Sequence, residues 1–159
     1  MIVFTQRWCV LCLGLLAACA PATNPRTVVP FQGGQQWEMI GKPWNGTPAR
    51  SFTFVLKPPK PRGTDMSFDD DRVVTVEGVQ YVLAGILYAS SRDVAVATAI
   101  DLNTADGSFC LVRRTRSFQN KTLEGRYFVG SVEEFIGYAS KNDWGKFGHC
   151  TLNRRAPSG

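Results

Sequence analysis

The chain is 159 residues long, 44% hydrophobic and 19% charged, with 18 Lys and Arg against 13 Asp and Glu. That balance belongs to one globular domain and excludes a disordered tail, a collagen-like rod and a multidomain enzyme. The excess of basic residues suits anionic partners, but so moderate a charge does not by itself point to nucleic acid.

Residues 1–7 carry a single charge, Arg7, and residues 8–18 form an apolar run broken only by Gly14. A short cationic start followed by about a dozen apolar residues is the pattern of a secretory leader, too short to remain as a helix across roughly 30 Å of hydrocarbon. Cys9 and Cys12 form a C-x-x-C inside this run and are expected to leave with it. Leu16, Ala17, Ala18 and Cys19 close the run. This ending resembles the lipobox of bacterial lipoproteins. The resemblance implies cleavage after residue 18, a lipid on Cys19 and hence the membrane as a partner; two or more acyl chains anchor stably where one does not. In that family an Asp after the lipidated Cys retains the protein in the inner membrane. Ala20 stands there, which implies the outer membrane of a Gram-negative envelope, with the domain facing the periplasm. The competing reading takes Ala18, Cys19 and Ala20 as the small-residue cleavage site of an ordinary secreted protein, with Pro21 close behind.

Two cysteines remain, Cys110 and Cys150, and in an oxidising periplasm they most simply form one disulfide. The alternative is a reactive thiol at Cys150 beside His149. Neighbours on a strand point to opposite faces, which works against their sharing a proton.

Residues 19–36 read as the lipidated Cys followed by an extended tether, rich in Pro, Thr, Asn, Gly and Gln. Its apolar island at 27–31 has two readings: a first edge strand of the domain, or a docking peptide that adds to a partner's sheet edge. The domain proper is expected over 37–159. Residues 51–57 place Phe52, Phe54 and Leu56 on one face, and Pro58, Pro59 and Pro61 are expected to stop that strand. Residues 72–77 and 79–88 are β-branched and aromatic, joined by a tight turn at Glu77 and Gly78. Residues 93–101 alternate Val94, Val96, Thr98 and Ile100 with Ala95, Ala97 and Ala99, whose small side chains suggest close packing on another layer. A turn at 103–107 leads to a strand over 108–114, and 125–129 gives another.

The period then changes. Ser131 and Glu134 form a capping box, and Val132, Phe135, Ile136 and Ala139 follow as a helical stripe ending near Asn142. Residues 143–152 read as a last strand carrying Trp144, Phe147 and Cys150. The expected fold is therefore mainly β, a sandwich or partly open barrel with one C-terminal α-helix and one disulfide.

Chemistry-bearing motifs are few. His149 is the lone His, and there is no H-E-x-x-H, P-loop, G-x-G-x-x-G or zinc-spaced Cys and His set, so no catalytic residue, metal ligand or cofactor is assigned. Asp65, Asp69, Asp70 and Asp71 read as a solvated acidic loop rather than an EF-hand, whose ligands need alternate positions. Glu133 and Glu134 are explained by capping and the helix dipole. Basic residues gather at Arg113, Arg114, Arg116, Lys121 and Arg126. Candidate partner contacts are Val28, Val29 and Phe31, the aromatic pair Trp37 and Trp44, and the arginines Arg113, Arg114 and Arg116. The expected role is a non-enzymatic accessory or assembly subunit of an envelope complex, of the secretion, conjugation or pilus type, with another envelope protein as partner and no nucleic acid. The alternative is a lipoprotein inhibitor or ligand-binding module directed at an envelope hydrolase or anionic glycan.

Overall fold

The computed structural model describes residues 29–113 and 122–156. The expected leader, Cys19, Val28, Arg114, Arg116 and Lys121 lie outside these residues. Ten strands run in chain order: β1 (Gln36–Lys42), β2 (Arg50–Val55), β3 (Lys60–Arg62), β4 (Asp65–Asp69), β5 (Val73–Val76), β6 (Val79–Ala89), β7 (Val94–Asp101), β8 (Gly107–Arg113), β9 (Thr122–Gly130) and β10 (Gly148–Arg155). Helix α1 (Val132–Ser140) lies between β9 and β10. The strands form one antiparallel sheet in the order β2-β1-β10-β9-β8-β7-β6-β4-β3, with β5 paired to β6 beside β4. The architecture is mainly β, curled but not closed by a backbone ladder, with one helix among the described residues.

The curl follows from side-chain size. Ala95, Ala97 and Ala99 are wholly buried on the inner face of β7, where they leave room for Phe52, Phe54, Tyr81, Tyr88 and Tyr127 from surrounding strands. The two faces of β8 are both covered, as expected for a central strand: Cys110 and Val112 point inward, Phe109 and Leu111 outward. The turn between β5 and β6 is built as its sequence suggests, with positive φ at Glu77 (50°) and Gly78 (81°).

The open edges approach each other at residues 69–72, where a side-chain pair stands in for a ladder. Asp70, 1% exposed, accepts the Val55 amide at 2.6 Å and both the Nε (2.6 Å) and a terminal nitrogen (2.8 Å) of Arg72. Arg72 donates onward to the Thr53 carbonyl at 2.8 Å, and the Lys57 amide donates to the Asp69 carbonyl at 2.8 Å. The end of β2 is thereby stapled to the link between β4 and β5. This corrects the expectation of a solvated acidic loop: residues 65–69 are a strand, and Asp69, Asp70 and Asp71 each take a basic partner, Lys60, Arg72 and Lys57. β2 ends at Val55, before Pro58 and Pro59 as expected, and strand structure resumes with Pro61 inside the edge strand β3, where its missing N–H is tolerated.

The tether boundary also moves. Phe31 is 1% exposed and Trp37 fully buried, with ring centroids 4.9 Å apart, and Phe31 further meets Phe68 and Tyr88 at 5.9 and 6.0 Å. Burying two large aromatics is worth several kcal/mol, enough to hold the incoming segment on its own domain. The domain thus includes Val29, Pro30 and Phe31, and Phe31 and Trp37 are buried in its core rather than exposed.

A second cluster lies on the outer face of β7, β8 and β9. There Phe135 of α1 stacks on Phe109 (4.4 Å, 10°), and Tyr138 meets Phe128 at 5.8 Å. The capping box is present as expected, the Ser131 side chain accepting from the Glu134 amide and the Glu134 carboxylate from Ser131. The helical stripe is rotated from the expected one. Phe135, Tyr138 and Ala139 face the sheet, because the aromatic stack fixes the docking angle, and Val132 and Ile136 stay exposed.

Cys110 and Cys150 are joined, which removes the reactive-thiol alternative. Their Cα atoms lie 5.9 Å apart although β9 separates their strands. Two strand spacings amount to about 9.6 Å on a flat sheet, so the sheet bends sharply at β9. Gly125, opposite Cys150, permits the bend: a Cβ there would stand 2.5 Å from the Leu111 carbonyl oxygen.

Candidate docking face

Helix α1 covers only part of the outer surface and leaves the outer face of β1, β10 and β9 open. Strand register places Lys42 opposite His149 and His149 opposite Arg126, a row of three exposed side chains across adjacent strands. At a spacing of about 4.8 Å per strand the row spans roughly 10 Å. It contains no carboxylate, and among the described residues Lys42 and Arg126 make no ion pair. The row continues to Leu111 on β8, and Arg113 stands two residues further along that strand.

Trp144 organises the end of this row. The guanidinium carbons of Arg113 and Arg126 each lie 4.7 Å from the centre of its ring system, a distance at which cation and π-face attract. The loop after α1 sets the indole. Asn142 takes a left-handed φ of 55° just past the helix and donates its amide to the Ala139 carbonyl. Asp143 accepts the Gly145 amide through its side chain, and the Phe147 amide closes back on the Trp144 carbonyl at 3.0 Å. The Trp144 ring rests edge-on against Phe147 at 5.0 Å. Arg113 is further fixed by donating to the Asn142 side-chain oxygen at 3.1 Å. Between the arginines runs a shallow groove lined by Leu111, Arg113, Glu124, Gly125 and Arg126. Nearby, Lys146 lies 5.2 Å from the Tyr138 ring centre, and the Tyr138 hydroxyl beside it raises the ammonium pKa.

This corrects the expected final strand: β10 begins at Gly148, and Trp144 belongs to the loop before it. Of the candidate contacts, Arg113 is exposed in this groove and Val29 packs partly buried on the core. Trp44 is 59% exposed on the connection between β1 and β2, apart from Trp37. Arg126 was legible as part of a basic cluster, whereas Lys42, His149 and Trp144 were not, since only strand register and the loop after α1 bring them together.

The interior carries a different polar feature. The Tyr127 hydroxyl and Ser108 Oγ are both buried, with no hydrogen bond of ordinary geometry among the described residues, and burial pushes the Tyr127 phenol pKa upward against a smaller lowering by the neighbouring Ser108 hydroxyl. Among the described residues no group of three His, Cys, Asp or Glu is placed to hold a metal ion, and no helix is long and apolar enough to cross a membrane.

Comparison with known proteins gives no match to any family model, curated protein or solved structure.

Proposed function

We propose that the chain is a lipid-anchored, non-enzymatic accessory subunit of an envelope complex, held at the outer membrane through Cys19 and docking another envelope protein through its open sheet face. The observation that carries this reading is the pair Arg113 and Arg126, held against one indole and in no ion pair among the described residues. Cations fixed in place by an aromatic face, two of them against the single Glu124 carboxylate that lines their groove, suit recognition of an anionic surface more than they suit the fold's own stability. The exposed Trp44 adds an aromatic anchor of the kind enriched in interface hot spots.

The N-terminal sequence fits the same reading. Nine residues separate Cys19 from Val29. Fully extended, they reach roughly 30 Å, so the domain would work close to the membrane surface. The experiment is extraction from the native envelope in mild detergent, followed by the mass of what travels with the protein and the mass of its N-terminal peptide. A defined assembly and an acylated Cys19 support the proposal. A lone monomer turns the reading toward an inhibitor or ligand-binding lipoprotein.

A further inference from the structure

We infer that the open face is a docking site for an acidic protein segment, with a carboxylate seated between Arg113 and Arg126 beside Trp144 and further acidic groups along the row of Arg126, His149 and Lys42. The inference rests on the accessory-subunit reading and names the chemistry of its partner. Arginine presents a planar fork of donors matched to a carboxylate, and stacking on Trp144 holds two such forks before any ligand arrives, which lowers the ordering cost of binding.

One observation favours a protein segment over a lipid surface or a uniformly anionic glycan. Glu124 stands in the groove between the two arginines. A polymer or bilayer of one charge sign is repelled there, whereas a folded or extended protein segment can set a donor opposite Glu124 and carboxylates opposite the arginines.

The test is calorimetric titration of the full-length mature protein with hexaglutamate, with hexaglutamine and phosphatidylglycerol vesicles as comparison probes. Hexaglutamate should bind, more weakly as salt rises. Arg113→Ala and Arg126→Ala should each weaken it by about tenfold, as expected for loss of one charge-assisted contact. Arg126→Lys should keep part of the affinity, and Glu124→Gln should raise it about threefold, a gain that loss of structure would not produce. Equal affinity of wild type and both arginine variants would overturn the inference. So would binding to vesicles that depends on Arg113 and Arg126 while hexaglutamate does not bind. A monomer on detergent extraction would defeat the accessory-subunit reading without touching this result, so the two failures are distinguishable.

Discussion

Replacing Asp70 by Ala removes the staple between the two open edges of the sheet. The carboxylate is 1% exposed and accepts the Val55 amide and two guanidinium nitrogens at 2.6 to 2.8 Å. The variant strands a backbone N–H and frees Arg72, which also holds the Thr53 carbonyl. An amide left without a partner costs about 1–3 kcal/mol. Breaking a buried ion pair costs about 3–5 kcal/mol when both members are buried, but the Arg72 side chain is 48% exposed, so the charge contribution is smaller here. Together these give about 3 kcal/mol. With a urea slope near 2 kcal/mol/M, the unfolding midpoint should fall by roughly 1.5 M with the slope unchanged. Asp70→Asn, which keeps one acceptor, should lose about half as much. Arg72→Ala should cost about as much as Asp70→Ala, and the double variant distinctly less than the sum, because the groups act as one unit. A shift for Asp70→Ala within about 0.5 kcal/mol, the range of ordinary surface substitutions, would refute the staple.

Three further outcomes follow from the same structure. Replacing both Cys110 and Cys150 by Ser opens a loop of sequence separation 40 and should cost up to about 4 kcal/mol, read as a drop of roughly 10–15 °C in the calorimetric midpoint. Gly85→Ala should be severe, since φ is +113° and a Cβ would lie 2.2 Å from the Phe68 carbonyl oxygen. Gly46→Ala, at φ +79° with nothing within 4 Å, should cost only about 1 kcal/mol, and equal losses in urea unfolding would contradict this. For pH, hydrogen bonds from Lys60 and Ser67 hold the Asp69 carboxyl below its ordinary 3.8. Its contribution is therefore complete above that value and lost as pH falls through the lower folded pKa. Burial raises Tyr127 above 10.0, so its contribution is present below pH 10 and lost as pH rises past it. Asp69→Asn should flatten the acid limb of stability against pH, and Tyr127→Phe the alkaline limb.

The elements legible in the sequence are those set by local pattern. Alternation at Phe52, Phe54 and Leu56 and at Ala95, Ala97 and Ala99 gave two strands and their inner faces, because side chains two apart share a face wherever the strand lies. The Ser131 capping box is likewise decided within four residues. What escaped depends on partners distant in the chain. Asp70 looks like one of a run of acidic residues until β2 arrives beside it, fifteen residues away, to offer the Val55 amide. Phe31 reads as part of a tether until the ring of Tyr88 supplies its contact. Lys42, His149 and Arg126 become one row only through register across three strands, which no local pattern encodes. The same holds for Trp144, whose contact with both arginines depends on a left-handed Asn142 and on where α1 docks.

The open face is proposed to hold the protein to a partner. The most direct measurement of this is the mass of the detergent-extracted protein in wild type and in the Arg113→Ala, Arg126→Ala double variant, both checked for unchanged unfolding midpoints. A defined assembly is expected for wild type and a monomer for the variant. An assembly of the same mass in both, or a monomer in both, would contradict the proposal.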